Sequence, residues 1–380
     1  MPIYKVDGVK KDGLQKYNVR VNYTTDSGEY KQVTRAAYGL EAAKDMEREL
    51  ERKIKAGEEQ PTAKMTVQQL FDEYIIAKKY EVRESTIEKH ERNFRLYIQP
   101  TMASVHINKL TTPVLQGWKR WIEEKGLALK TKHHAYSLFR SFLNYALTME
   151  YIPRNPLLIV GNFKDALHHK AEMKIYTAQD FKKFIGTAKR LAEERQEKHQ
   201  DLSEWNYFVF FNIAFYTGLR KGEIHALKWS DIDNALLHVR RSITQKLKGE
   251  DRETLPKTKS SIRTLQMPLP LIQVLKEHRA RQEQLGHFSE DFRVCVGDQR
   301  LTDTSLENRN KRYAELSGLD KIRIHDFRHS HVSVLANEGI NIQEIARRLG
   351  HSRVEETWNT YSHLYPREEE KAVDILNKIA

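Results

Sequence analysis

Four short stretches in the second half of the chain hold the residue types that could do chemistry together. TGLRKGEI carries Arg220 and Glu223. LPKTKSSIRTL carries Lys257 and Lys259, RIHDFRHS carries His325 and Arg328, and LGHSRVEETWNTY carries His351 and Tyr361. If these side chains met, arginine would supply a fixed cationic fork, histidine a proton acceptor near neutral pH, and tyrosine a hydroxyl able to form a covalent bond. Taken singly, each has a plainer reading. Most tyrosines are packing residues with a wet tip. A lone arginine on a helix is usually at the surface, and a lone histidine is usually a hydrogen-bonded structural group. A metal site is the rival for the histidines, but no cysteine accompanies His325, His329 and His331, and HDFRHSH fits no zinc spacing. No metal is therefore expected, and His329 and His331 are read as structural.

The elements that must position these residues follow from hydrophobic periodicity. From about Lys174 to the end the pattern is mixed but mainly helical. WNYFVFFNIAFYTGL is apolar nearly all round and reads as a buried central helix. LLHVRRSITQK and SIRTLQMPL read as strands of a small sheet joined by a charged loop. Helical stretches begin near Ser305, His329 and Asn341. Residues 65–157 read as a four-helix bundle. Thr66 and Gln69 form a capping box ahead of Val67, Leu70, Phe71, Tyr74 and Ile75, and Ser85 with Glu88 repeats the device. Thr112 and Pro113 open a third helix, and the fourth runs from about Lys130 until Pro153 and Pro156 end it. Residues 1–60 read as a small sheet and a helix. Tyr17, Val19, Val21 and Tyr23 alternate with polar residues, and Ala43, Met46, Leu50 and Ile54 recur at helical spacing up to Gly57. EEQPTAK is the linker between these two segments. The fold class is thus mainly α with small β-sheets.

Composition narrows the partner. The 380 residues carry a formal net charge of +12, shared along the chain and not gathered in a tail. That suits a protein that touches a polyanion with several domains. Candidate DNA-facing residues are Lys16, Arg20, Lys31 and Arg35 on one face of the N-terminal sheet, and Lys130, Lys132, His133 and His134 at the start of the fourth helix. The single cysteine allows no intrachain disulfide. With no apolar leader in MPIYKVDGVKKDG and no apolar run long enough to span a bilayer, a cytoplasmic location is expected.

In this order and at these separations, TGLRKGE, PKTKSSIR, HDFRHSH and LGHS…TYSH resemble the tyrosine recombinases, the phage integrase family, most closely integrases of conjugative transposons and other integrative elements of Gram-positive bacteria. The resemblance implies a three-part layout: an arm-type DNA-binding domain over 1–60, a core-site-binding domain over 65–157, and a mixed α+β catalytic domain with a tail helix over 174–380. It implies that Arg220, Lys257, His325, Arg328, His351 and Tyr361 are catalytic, with Glu223 in support. Lys259 remains an alternative to Lys257. The implied reaction is attack of the tyrosine oxygen on a DNA phosphodiester, giving a 3′-phosphotyrosine and a free 5′-hydroxyl, with no cofactor. A free phenol has a pKa near 10, so roughly 0.1% is ionised at pH 7. It needs nearby cations and a proton acceptor, for which His325 is the candidate. Two arginines suit the non-bridging oxygens, His351 can donate a further hydrogen bond, and lysine can protonate the leaving oxygen.

The implied function is site-specific integration and excision of a mobile element on double-stranded DNA with core-type and arm-type sites. A homotetramer on two duplexes and an accessory excision factor are the expected partners. A type IB topoisomerase and a non-catalytic DNA-binding regulator are the alternatives. In REEEKAVDILNKIA, Ala372, Val373, Leu376 and Ile379 share one helix face, read as a surface that docks on a neighbouring protomer.

Overall fold

The alternation at Tyr17–Tyr23 becomes the middle strand of a three-stranded antiparallel sheet, β1 (Ile3–Lys11), β2 (Leu14–Thr24) and β3 (Tyr30–Tyr38) in that spatial order. Asp12 and Gly13 turn β1 into β2, both at positive φ (53° and 78°), as a tight hairpin turn requires. Helix α1 (Leu40–Lys55) covers one face, where Val19, Ala37, Ala43 and Leu50 are buried. The structure is a computed structural model that describes residues 3–24, 30–55, 65–164, 173–247, 250–254, 261–286, 288–297, 300–365, 373 and 376–377. It divides into two compact units, Met1–His169 and Lys170–Ala380.

The register of this sheet corrects one expectation. Lys16 pairs with Tyr38 and Arg20 with Thr34, whereas Arg35 pairs with Val19 and Lys31 with Tyr23. Directly opposed residues share a face. Positions 31 and 35 therefore belong to the face of Val19, which α1 covers, and only Lys16 and Arg20 lie on the outer one. A one-residue difference in register exchanges the faces, and the short polar segment between the strands does not fix it in sequence.

The rest of the first unit is helical: α2 (Val67–Lys78), α3 (Glu84–Tyr97), α4 (Gln99–Met102), α5 (Thr112–Glu124), α6 (Leu129–Thr148) and α7 (Leu157–Val160). The Thr66–Gln69 capping box forms, with Thr66 N donating to Gln69 Oε1 at 2.9 Å and Gln69 N to Thr66 Oγ1 at 3.3 Å. The one expected at Ser85 does not. Helix α3 begins at Glu84 after an extended Arg83, so Ser85 sits inside the first turn. The bundle core is aromatic. Phe71 stacks on Phe94 at 3.8 Å, Phe142 meets both, and Trp118 stands edge-on to Phe139.

The second unit is built on α8 (Ala178–His199) and α9 (Ser203–Thr217), followed by α10 (Lys221–Ala226). Helix α9 is buried on all sides, as its composition demands. Strands β4 (Ile232–Asp233), β5 (Leu236–Val239) and β8 (Arg263–Gln266) form one antiparallel sheet, and β6 (Ser242–Leu247) and β7 (Glu250–Thr254) form a separate hairpin. Then come α11 (Leu269–Glu283), α12 (Asp303–Leu316), α13 (Asp326–Asn337), α14 (Ile342–Leu349) and α15 (Val354–Tyr361). Phe211 of α9 packs on Phe184, Tyr313 and Phe327, which ties α8, α12 and α13 to the central helix. Among the described residues no helix is long and apolar enough to cross a membrane.

Candidate active site

The site is assembled at the end of α9. Gly218 takes φ +64°, and a Cβ there would meet His331 Cδ2 at 2.7 Å, so the turn admits only glycine. The turn delivers Arg220 to the start of α10. Its backbone N donates to Glu223 Oε2 and its guanidinium to Glu223 Oε1, both at 3.0 Å. Glu223 is buried and also receives Nη2 of Arg263 at 3.0 Å. Burial pulls this carboxyl upward, but Arg263 and Arg220 outweigh it and hold it below the usual carboxylate range. One charge therefore aims two arginines.

Arg263 was not singled out from sequence. It opens β8, is nearly buried, and donates to Arg348 O at 2.6 Å and to Ser261 O at 3.0 Å as well as to Glu223. It joins α10, the end of α14 and the residues that follow the lysine segment. Lys257 and Lys259 themselves lie outside the described residues.

Arg328, on α13, is 3% exposed. It donates to Gly218 O at 2.8 Å, to Leu349 O at 2.9 Å and to His351 Nε2 at 2.8 Å. Burial, then the neighbouring Arg220, lowers its pKa to about 9, so it stays charged at neutral pH. A guanidinium only donates, so Nε2 of His351 is an acceptor and the ring proton sits on Nδ1, 2.7 Å from Thr357 Oγ1. Burial holds His351 at about 4. Sequence reading gave His351 a hydrogen bond to donate to the phosphate. In the structure both ring nitrogens are engaged, and the ring orients Arg328.

Tyr361 closes α15 and is buried beside Val332, Ala336, Ile345 and Leu349. Burial raises its pKa to about 12 although Arg328 pulls the other way. Its hydroxyl lies 2.5 Å from Nδ1 of His329. The expectation had been His325 as proton acceptor and His329 as structural. His325 and His329 are one helical turn apart and share a face of α13. Their rings meet edge-on at 5.0 Å, and the one further along the helix reaches α15. Burial lowers both, His329 to about 4. His331 is buried, with its Nδ1 2.8 Å from Phe215 O, and does not line the cavity. The i, i+4 spacing of His325 and His329 was the available signal that separates them.

Arg220, His325, Arg328, His329, His351, Glu356, Thr360 and Tyr361 line one cavity of about 260 Å³. Five of the six expected catalytic residues thus meet there. A larger cavity of about 800 Å³, near Ser203, His278 and Leu285, contains none of them. Among the described residues no group of three or more His, Cys, Asp or Glu is placed to hold a metal ion.

The expected DNA-facing residues are not alike. Arg20 is exposed against the Tyr4 ring at 5.0 Å. Lys130 is exposed and His134 half-buried, and burial first, then Lys89 and Lys130, lowers His134. Lys132 is paired with Glu123, and His133 bonds Phe163 O at 3.0 Å. These last two serve the bundle in this structure. In the tail, Val373 and Leu376 are exposed, and Ala372 and Ile379 lie outside the described residues.

Comparison with known proteins agrees with this architecture. Residues 175–368, just over half the chain, match the model of the phage integrase family, and residues 66–122 match the phage integrase N-terminal SAM-like domain. The ICEBs1 integrase of Bacillus subtilis (strain 168) is 27% identical over 381 residues, covering 98% of this chain and 99% of that protein. The Tn1549 transposon integrase, solved in complex with transposon right end DNA, aligns with a TM-score of 0.65 at 20% identity, covering 83% of this chain and all of the other. A lambda integrase tetramer bound to a Holliday junction aligns at 0.53 and 16% identity, over 93% of this chain and 96% of the other. The likeness to both structures is one of fold.

Proposed function

The chain belongs to the phage integrase family and is a tyrosine site-specific recombinase, and we propose that it cuts and rejoins double-stranded DNA through Tyr361 to integrate and excise a mobile element. The observation that carries the residue roles is the convergence of Tyr361, two arginines and three histidines on one small cavity.

In this reading the Tyr361 oxygen attacks phosphorus, a 3′-phosphotyrosine forms and a 5′-hydroxyl leaves. Arg220 and Arg328 hold the non-bridging oxygens, where fixed donors stabilise developing charge better than water can. Glu223 aims Arg220, His351 aims Arg328, and His325 faces the phosphate from the same side. Lys257, or Lys259 in its place, protonates the leaving oxygen. The covalent intermediate keeps the bond energy, so rejoining needs no cofactor. Residues 1–60 serve arm-type sites, 65–157 core-type sites, and 174–380 catalysis, with four subunits on two duplexes, the tail helix docking on a neighbour, and an accessory factor for excision. A cytoplasmic location fits this work. A regulator without chemistry has no use for a hydroxyl held on an imidazole among buried cations.

Tyr361→Phe should bind core-site DNA normally and form no covalent adduct on a denaturing gel, because binding rests on phosphate and base contacts elsewhere. An adduct of wild-type yield in that variant overturns the reading.

A further inference from the structure

The family pattern quoted above leaves His329 without a task, yet it is the residue that touches the reacting oxygen. We propose that His329 is the proton acceptor for Tyr361, with Asp326 near its other ring nitrogen as the carboxylate that pairs with the imidazolium once it forms. This rests on Tyr361 being the nucleophile. The geometry is that of a nucleophile on its base, with a carboxylate near the other ring nitrogen but beyond hydrogen-bond distance. Tyr361 Oη is 2.5 Å from Nδ1 of His329, and Nε2 of the same ring is 4.0 Å from Asp326 Oδ1. Asp326 is buried and fixed by Arg323, whose Nη2 donates to Oδ1 at 2.7 Å and whose backbone N donates to Oδ2 at 2.9 Å. His329 is held neutral by burial, and in the tautomer with the ring proton on Nε2 its Nδ1 lone pair accepts from the Tyr361 hydroxyl.

The groups around His329 decide when the proton moves. On α13 they are His325, Asp326 and Arg328, with Arg323 just before the helix. Arg220 comes from α10, His351 from the turn after α14, and Glu356 and Tyr361 from α15. With the phenol at about 12 and the imidazole at about 4, transfer does not precede attack. It accompanies the bond. As Oη–P forms and P–O5′ breaks, the phenolic proton passes to Nδ1, and O5′ takes its proton from Lys257 or Lys259. The new imidazolium then faces Asp326. On rejoining, the 5′-hydroxyl attacks phosphorus, its proton returns to the lysine, Oη–P breaks, and His329 returns its proton to Oη.

The test is His329→Asn, whose Oδ1 can accept a hydrogen bond where Nδ1 stood but cannot take a proton. Single-turnover adduct formation on core-site DNA should fall on the order of 10²–10³-fold. The wild-type rate should be flat around neutral pH, while the variant's rate should climb about tenfold per pH unit as solvent ionises the phenol. A variant with wild-type rate and a flat profile overturns the proposal, as does a pH-dependent loss that appears in His325→Asn instead. If His329→Asn fails to fold, the wild-type protein decides, using DNA with sulfur at the 5′-bridging position. Sulfur needs no proton to leave, so the tyrosine's is the only one in flight. Cleavage should then be slower in deuterium oxide, and equal rates overturn the proposal. Tyr361→Phe run in parallel separates the two readings. An adduct there removes the nucleophile itself, whereas its absence beside a fully active His329→Asn removes only the base.

Discussion

The outer face of the N-terminal sheet and the tyrosine cavity both gather cations, and they handle them in opposite ways. Arg20 lies in the open against the Tyr4 ring. Arg328 and Arg263 are almost wholly buried, and their donors go to Gly218 O, Leu349 O, His351, Glu223, Arg348 O and Ser261 O. A buried charge is tolerated only when its hydrogen bonds are met. Meeting them fixes direction before any DNA arrives, which is what stabilisation of a transition state requires. An exposed cation has no such constraint and can follow an irregular phosphate backbone. In the proposed reading, placement, more than number, separates a catalytic cation from a tethering one.

The largest consequence is at Arg328. Arg328→Lys keeps the charge and loses the fork, so it cannot hold Gly218 O, Leu349 O and His351 together. Adduct formation should drop on the order of 10²–10³-fold, and the orphaned carbonyls should cost about 1–3 kcal/mol of stability each. Single-turnover cleavage and urea titration measure the two effects, and a near-normal rate would show that the clamp is ornamental.

A smaller effect concerns pH. His329, His331 and His351 are lowered to about 4, 3 and 4 by burial. In the unfolded chain they titrate at about 6.5. Between those values the unfolded state binds the extra protons, so folded-state stability is lost as pH falls from about 6.5 towards 4. The urea midpoint of the second unit should therefore decline over that window. His331→Asn, which removes one such group away from the cavity, should make the decline shallower. An unchanged slope would mean that His331 does not titrate differently on folding.

The smallest effect sharpens the contrast from the sheet side. Arg20→Ala should weaken arm-site binding and lower the salt dependence of log K by about one. Arg35→Ala, on the face that α1 covers, should leave the slope alone. Equal effects from both would mean that DNA does not lie on the outer face.

How far the sequence was readable follows the same division. The resemblance of four short motifs to the tyrosine recombinases let Arg220, His325, Arg328, His351 and Tyr361 be picked out, and α9 and the Thr66 cap announced themselves by their local sequence. What escaped depends on geometry that spacing does not record. The pairing of β2 with β3 put Lys31 and Arg35 on the wrong face. The helix start at Glu84 left Ser85 uncapped. Arg263 stands 40 residues from the carboxylate it holds, and no local pattern announces that contact. His329 lay between: its turn of separation from His325 was visible, and its meeting with α15 was not.

The most direct measurement of the central claim is to locate the covalent bond. Wild-type protein is trapped on core-site DNA, digested with nuclease and protease, and the modified peptide is identified by mass spectrometry. The nucleotide should be on Tyr361, whose hydroxyl lies in the cavity on His329. Tyr365 is four residues on, and its hydroxyl donates to Ile340 O at 2.8 Å. A nucleotide on Tyr365, or on any residue outside the cavity, would contradict the account.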